Sequence, residues 1–314
     1  MGRGAEGWRA VTRVLRSCGG FVRTGVNDLA ALMMPSECRL CGGPVLVVGT
    51  VRVCEDCLAR LGARSVSRDE VYCARCGEAL GFESLRFAEA RGGACTMCRL
   101  AQPQFERAVA GGDYDDEMRE LLHLLKFEGR RGLAELLLGK RLAEGVALLR
   151  EAAGAELVVV PVPLFKARER ERGYNQALLL AQAAVTRLKK SEPTWRLRVE
   201  TGALVRVRDT QPLYALDPKQ RRESVRGAFE TTGTGRFAGH EVLLIDDILT
   251  TGATARECAK VLRRAGATKV WVATAARAQS VMQPPERDVS IFFPMSSLQR
   301  LVEPDEKRRR GFGW

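Results

Sequence analysis

The sequence predicts an α/β protein, a parallel sheet flanked by helices, preceded by a small cysteine-rich domain. Three observations carry that prediction. Continuous apolar runs such as Leu157–Val160 and Val242–Ile245 alternate with amphipathic segments after Phe105, the pattern of strands buried on both faces. Eight of the ten cysteines fall in four Cys-x-x-Cys pairs before Pro103. The 314 residues are 46% apolar and 28% charged, which excludes wholesale disorder and leaves material for about two domains. No apolar run approaches the ~18 residues that a membrane helix needs.

The chain is expected to divide into four stretches. In residues 1–34, Trp8, Val11, Leu15, Cys18 and Val22 lie at loosely helical spacing among Arg9, Arg13, Arg16 and Arg23, interrupted by Gly19 and Gly20. No small-residue cleavage site follows a sustained apolar run, so this stretch reads as an N-terminal extension. Residues 35–104 carry the cysteine pairs between polar, glycine-containing spacers, and something other than an apolar core must hold them together. Residues 105–280 form the α/β domain. Asp115 and Asp116 cap a helix whose apolar face is Met118, Leu121, Leu122 and Leu125. Leu133–Leu149 is a second helix, Leu157–Val160 a buried strand, and Asn175–Lys190 a helix with apolar residues at i, i+3 and i+4. Val242–Ile245 is a strand, Ala253–Ala265 a helix closed by Gly266, and Lys269–Thr274 a last strand. Residues 281–314 are an irregular tail ending in the basic run Lys307–Arg310.

The cysteine pairs are Cys38/Cys41, Cys54/Cys57, Cys73/Cys76 and Cys95/Cys98. Each such turn presents two sulfurs on one knuckle, and two knuckles complete a tetrahedron around zinc. Twelve residues separate Cys41 from Cys54 and eighteen separate Cys76 from Cys95, so consecutive pairing gives two zinc ribbons. Fifteen residues separate Cys57 from Cys73, so interleaved pairing fits as well. The expectation is two closed, structural zinc sites in a protein of the reducing cytoplasm. Each tetrathiolate site carries two net negative charges, which lowers the formal +12 of the chain to about +8. Cys18 and Cys258 stand outside this scheme and read as ordinary buried thiols.

The most informative run is Val242-Leu-Leu-Ile-Asp246-Asp247-Ile-Leu-Thr250-Thr251-Gly252-Ala253-Thr254. A buried strand delivers two carboxylates at its C-terminal edge, where open α/β sheets bind ligands. A turn of small hydroxyl residues then opens a helix whose first N–H groups form an anion cradle, with Gly252 allowing close approach. Carboxylates accepting from hydroxyls beside a phosphate cradle suit a sugar phosphate. This stretch resembles the 5-phosphoribosyl-1-pyrophosphate (PRPP) motif of type I phosphoribosyltransferases.

Further runs extend the resemblance. Leu125-Lys-Phe-Glu-Gly129, Val160-Pro-Val-Pro-Leu164, Glu171-Arg-Gly-Tyr-Asn-Gln176 and Val225-Arg-Gly-Ala-Phe229 are similar to successive signatures of the ComF family. That family's layout is a double zinc ribbon before a type I phosphoribosyltransferase domain, and the similarity covers residues 35–280. It implies a PRPP·Mg²⁺ ligand, with Asp246 and Asp247 as the catalytic pair holding the ribose and Thr250, Thr251, Gly252, Ala253 and Thr254 holding the 5-phosphate. Two positions depart from the family pattern. Leu213-x-x-Leu216 stands where a Gln-x-x-Leu box is usual, and Ser224 where Asn is usual. Both fall in the segment that the resemblance makes a flexible loop over the site.

From Pro161 to Ala228 there are fifteen Lys and Arg against seven acids, +8 of the chain's +12. Lys166, Arg168, Arg170 and Arg172 follow the 157–163 strand in a segment read as a loop, where they are candidates for the pyrophosphate. Their alternation with Glu169 and Glu171 equally suits a solvated, self-paired face. With 6% aromatics and no stacking pattern, sequence-reading nucleic-acid recognition is not supported, while a zinc ribbon beside a basic domain keeps single-stranded DNA contact open. His123 and His240 are lone residues of surface or helix-packing type.

The resemblance therefore implies one of two functions. One is a pentosyl-transferring glycosyltransferase, moving phosphoribosyl to a nitrogen acceptor with release of pyrophosphate. The other is a non-catalytic PRPP-sensing or DNA-uptake accessory of the competence machinery.

Overall fold

A computed structural model of the chain describes residues 36–38, 40–45, 53–54, 56–57, 71–80, 93–127, 132, 137–210, 217–233 and 235–279. The expected extension at 1–34 with Cys18, the tail at 281–314, and Leu213 and Leu216 lie outside the described residues. The elements are β1 (Ser36–Glu37), β2 (Pro44–Val45), α1 (Thr96–Leu100), β3 (Arg107–Ala110), α2 (Asp116–Phe127), α3 (Gly139–Ala147), β4 (Glu156–Pro161), α4 (Lys166–Arg172), α5 (Gln176–Ser191), β5 (Arg196–Val199), β6 (Leu204–Arg206), α6 (Pro218–Val225), β7 (Phe229–Thr231), β8 (Glu241–Leu249), α7 (Ala253–Arg264) and β9 (Lys269–Arg277).

Five strands form the expected parallel sheet, in the order β3-β9-β8-β4-β5. β1 pairs antiparallel with β2, and β6 antiparallel with β7. Side-chain alternation along the central strands sorts the core into two layers. Leu157, Val159, Leu243, Ile245 and Trp271 pack with apolar residues of α2, α3 and α5. Val158, Val160, Val242, Leu244 and Val272 pack with α7 and the β6–β7 pair. Burial on both faces is why these strands read as unbroken apolar runs.

The helices end where their caps dictate. The Asp115 carboxylate accepts from the Met118 N–H at 2.8 Å and starts α2. Asn175 accepts from the N–H groups of Ala177 and Leu178, at 2.9 and 3.4 Å, and starts α5. Gly266, at φ +94°, follows α7. The helix expected at 133–149 is found at Gly139–Ala147, residues 133–136 lying outside the described set.

Two strands outrun their apolar cores. Backbone pairing continues from Asp246↔Thr274 to Leu249↔Arg277, so β8 carries both aspartates within the strand and β9 reaches Arg277. The segment read as a loop after β4 contains a helix instead, α4, closed by Gly173 at φ +77°. Its alternating charges hid it, because a seven-residue helix with no buried residue shows no apolar period.

β3 is a sheet edge, and the second cysteine knuckle covers it. The Ala108 N–H donates to the Arg75 carbonyl at 2.7 Å, and a side chain on Gly77 would meet the Ala108 carbonyl oxygen at 3.2 Å. On the helical side α3 lies just as close: a β-carbon on Gly145 would stand 2.8 Å from the Ala110 carbonyl oxygen. Backbone cannot swing aside as a side chain would. Gly145→Ala is therefore expected to lower stability by about 1–3 kcal/mol, read as a lower urea midpoint at unchanged m-value.

Candidate functional site

The eight paired cysteines gather as two sets, Cys38/Cys41/Cys54/Cys57 and Cys73/Cys76/Cys95/Cys98, each with all sulfurs within 4.8 Å of one another. Pairing is thus consecutive, not interleaved. A tetrahedron with Zn–S bonds of ~2.3 Å has sulfur–sulfur edges of about 3.8 Å. Cys41 and Cys54, and likewise Cys76 and Cys95, lie with their sulfurs 3.7 Å apart. In both sets the first knuckle reads Cys-x-x-Cys-Gly, and Gly42 and Gly77 take φ +72° and +67°, which a side chain would strain. The turns aim N–H groups at sulfur: Cys54 N–H to Cys38 Sγ at 3.3 Å, and Cys95 N–H to Cys73 Sγ at 3.2 Å. Burial opposes charge on Cys38, but the N–H donors of Cys54, Leu40 and Cys41 outweigh it and bring its pKa to about 6. Four sulfurs gathered around one point at tetrahedral spacing fit zinc. Cys258, by contrast, is fully buried on α7, where burial pushes its thiol well up.

Four chain segments converge on the C-terminal end of β8. Lys126, in the last turn of α2, places Nζ 2.7 Å from Asp247 Oδ2. Gln176, the first residue of α5, donates from Nε2 to the same oxygen at 3.2 Å. Arg172 donates to Gln176 Oε1 at 2.7 Å, and its guanidinium lies 5.3 Å over the Phe127 ring. The Tyr174 hydroxyl bonds the Leu125 carbonyl, and Asn175 Nδ2 bonds the Val162 carbonyl at 3.0 Å, joining α2, the β4 end and α5. The described parts of the runs around 125, 160 and 171–176 therefore meet at the aspartates.

Two adjacent carboxylates at a dry strand end cannot both ionise freely. Burial and the Asp247 charge push the Asp246 carboxyl up to about 8. For Asp247 burial acts the same way, but the Lys126 ammonium, the Ile248 N–H and Gln176 override it and hold that carboxylate below its ordinary range. Burial likewise opposes charge on Lys126, and the Asp247 carboxylate raises it regardless.

Beyond Leu249 the chain turns through Thr250 and Thr251 into α7. Gly252 takes φ +73° at the N-cap and supplies no side-chain acceptor, so the first-turn N–H groups keep no side-chain cap. Thr251 Oγ1 is buried without a hydrogen-bond partner. An orphaned hydroxyl and uncapped N–H groups in one turn leave donors that could receive an anion.

The four basic residues of α4 have different fates. Arg168 is taken up by Asp209 at 3.0 Å and by the Thr210 carbonyl at 2.7 Å. Arg172 serves Gln176, as above, while Lys166 and Arg170 are exposed. A cation not singled out from sequence, Arg206 on β6, bonds Thr210 Oγ1 and lies 5.4 Å over Phe229. Burial and Arg168 lower its pKa, and the charge of Asp246 counters them. Lys126 and Gln176 lie inside the Leu125–Gly129 and Glu171–Gln176 runs; the sequence assigns Lys126 no role of its own and leaves Gln176 among the residues that open the next helix, to cap it or to meet a ligand.

Comparison with known proteins places this geometry. Residues 180–298 match the phosphoribosyl transferase domain family. The DNA utilization protein YhgH of Escherichia coli is 30% identical over 243 residues, 77% of this chain and 96% of that protein. Competence protein F of Haemophilus influenzae is 31% identical over 66% of this chain and 85% of its own length. The chain belongs to the ComF family. Competence protein ComFC of Bacillus subtilis is 31% identical over 49% of this chain and 56% of its own length. A hypoxanthine phosphoribosyltransferase structure from Staphylococcus aureus aligns over 48% of this chain and 67% of that chain, at 14% identity and a TM-score of 0.24. The strand order β3-β9-β8-β4-β5 and the family match carry the fold of this ComF protein.

Two outcomes follow for the site. Metal analysis of the purified ComF chain is expected to return two zinc ions per chain, falling to one in Cys73→Ser. The second outcome concerns pH. A carboxyl whose folded pKa exceeds its unfolded value of ~3.9 binds its proton more tightly in the fold, so stability falls as pH rises from about 4 toward 8. Asp246→Asn removes that loss. The midpoint difference, variant minus wild type, should grow more positive across this window in thermal unfolding.

Proposed function

We propose that this chain binds PRPP with Mg²⁺ at the C-terminal end of β8 and transfers its phosphoribosyl group to a nitrogen acceptor. The observation that carries the reading is the juxtaposition of the Asp246/Asp247 pair with the uncapped turn holding the orphaned Thr251 hydroxyl. The carboxylates would accept from the ribose hydroxyls, and the turn from Thr250 to Thr254 would hold the 5-phosphate. The acceptor nitrogen attacks the anomeric carbon, the bond to the pyrophosphate oxygen breaks, and the bonding pair leaves with pyrophosphate. Positive charge developing on the ribose ring faces the aspartate end of the strand, which stabilises it electrostatically. Mg²⁺ bound with the pyrophosphate supplies neutralisation of the leaving group. Lys166 and Arg170, exposed on α4, are the cations of that segment left for the pyrophosphate, while Arg168 and Arg172 act in positioning.

A second reading is supported by the relatives' names, which speak of DNA utilization and competence. In it the same site binds PRPP without turnover, and the protein serves DNA uptake, with the basic 161–228 segment and the zinc ribbons meeting single-stranded DNA. Either reading suits the cytoplasm, where eight ligand thiols stay reduced. On either, residues 35–104 act as the double ribbon and 105–280 as the phosphoribosyl-binding domain.

Pyrophosphate release from PRPP·Mg²⁺ with a panel of nucleobases, beside calorimetric binding, separates the readings. Turnover with one base, lost in the Asp246→Asn/Asp247→Asn variant, is the expected result. Binding that the variant loses, without turnover, would overturn the transferase in favour of the accessory. Absence of binding would overturn both.

A further inference from the structure

The second cysteine cluster and the Thr250–Thr254 turn are held by the same arginines. Arg277, the last residue of β9, is only 5% exposed. Its Nη1 donates to the Thr250 carbonyl at 2.8 Å. Its Nη2 pairs with the Glu78 carboxylate, two residues beyond Cys76, and lies 4.0 Å from Cys76 Sγ. Arg256, in the first turn of α7, reaches the same cluster from the other side. Its Nη2 is 3.4 Å from Cys98 Sγ, its Nη1 bonds the Ala101 carbonyl, and its N–H donates to the Gly252 carbonyl at 2.9 Å. The Arg277 guanidinium thus reaches a cluster sulfur with one arm and the Thr250 carbonyl with the other, while the Arg256 guanidinium ties Cys98 Sγ to the Ala101 carbonyl and is joined to Gly252 through its own main chain.

The electrostatics make these contacts conditional. Four thiolates around zinc carry two net negative charges, which the two guanidiniums offset in part, since Arg277 also pairs with the Glu78 carboxylate. A buried arginine is stable only while its partners are in place. If zinc leaves, the four sulfurs are no longer held at one point, and Arg277 and Arg256 lose the fixed sulfur contacts that hold their side chains. The Thr250 carbonyl and the first turn of α7 then lose their anchor. The first cluster makes no such link among the described contacts; its Cys38, Val53 and Cys57 pack in the other core layer.

We propose that Arg277 and Arg256 are positioning residues that couple zinc in the second cluster to the conformation of the Thr250–Thr254 turn. Its consequence for ligand binding rests on the reading of that turn as a phosphate cradle. Because coupling is reciprocal, PRPP·Mg²⁺ should also slow zinc loss from this cluster and leave the first unaffected.

The test uses the full chain loaded with zinc, as wild type, Arg277→Met, Arg277→Lys and Arg256→Met. Three quantities are read: zinc release to a chromogenic chelator, amide exchange across residues 250–256, and the Kd for PRPP·Mg²⁺. In Arg277→Met one of the two zinc ions should leave about tenfold faster, the second keeping its wild-type rate. Exchange across 250–256 should rise and PRPP affinity fall about tenfold. Lysine should restore only part of this, because an ammonium cannot span the carbonyl, the carboxylate and the sulfur together. Arg256→Met, at a less buried position, should shift all three readouts the same way, so a folding failure of Arg277→Met does not end the test. Wild-type zinc release and wild-type exchange in both methionine variants would overturn the coupling. If wild type itself binds no PRPP, the phosphate reading fails, while zinc release and exchange still decide the coupling.

Discussion

The ion pair between Lys126 and Asp247 is the interaction on which the rest of the site depends. A parallel strand that ends in two consecutive carboxylates, dry on both sides, is unstable unless one charge is compensated. The cation arrives from α2, a helix remote in sequence, and that helix must stop at the right height. Tyr174 ensures this by bonding the Leu125 carbonyl, and Tyr174 is in turn placed by the turn that Asn175 caps. Pull any of these and Asp247 is left facing its neighbour. The result is a division of labour inside a dipeptide: one carboxylate is kept charged by three donors, and the other keeps its proton to about pH 8.

The cysteine clusters answer a different constraint. Residues 71–80 and 93–100 carry too little apolar surface to pack alone, and the chain attaches them to the α/β core instead. Cys73, Cys76, Leu80 and Cys98 join the layer formed by Phe105, Ala108 and α7, while Cys38 and Cys57 join the layer of α2 and α3. Each cluster thus closes one face of the same sheet. The second also shields the β3 edge, whose unpaired N–H groups would otherwise invite pairing with another chain. Cysteine clusters used in this way are parts of the core rather than beads on a linker.

What could be read from the sequence was what local chemistry encodes. The apolar runs of β4 and β8, the Asp115 and Asn175 caps, the knuckles and the strand-end carboxylates all announce themselves within a dozen residues. What could not be read depends on side chains meeting across the fold. Lys126 looks like any lysine closing an amphipathic helix, and nothing near it in sequence says that its partner is Asp247. Arg277 was hidden because β9 has no β-branched residue after Thr274, so pattern alone ends the strand there while backbone pairing carries it three residues further. Arg168 shows the opposite error. Its alternation with Glu169 suggests either a free phosphate ligand or a local ion pair, yet its carboxylate partner is Asp209, forty-one positions away.

Charge around the strand end also bears on what can occupy it. Of the fifteen cations between Pro161 and Ala228, several are engaged internally: Arg168 by Asp209, Arg198 by Glu200, Arg206 by Thr210 and Phe229. The remaining cations attract any polyanion, so they do not by themselves select one. Selection falls to the carboxylates. A phosphodiester strand of DNA offers phosphates to the turn but no vicinal hydroxyls to Asp246 and Asp247, and its backbone charge would face them directly. A ribose carrying phosphates at both ends satisfies the turn, the aspartates and the surrounding cations together. On the proposed reading, then, any contact with DNA belongs to the exposed basic surface or the ribbons, and the strand end is reserved for the sugar phosphate.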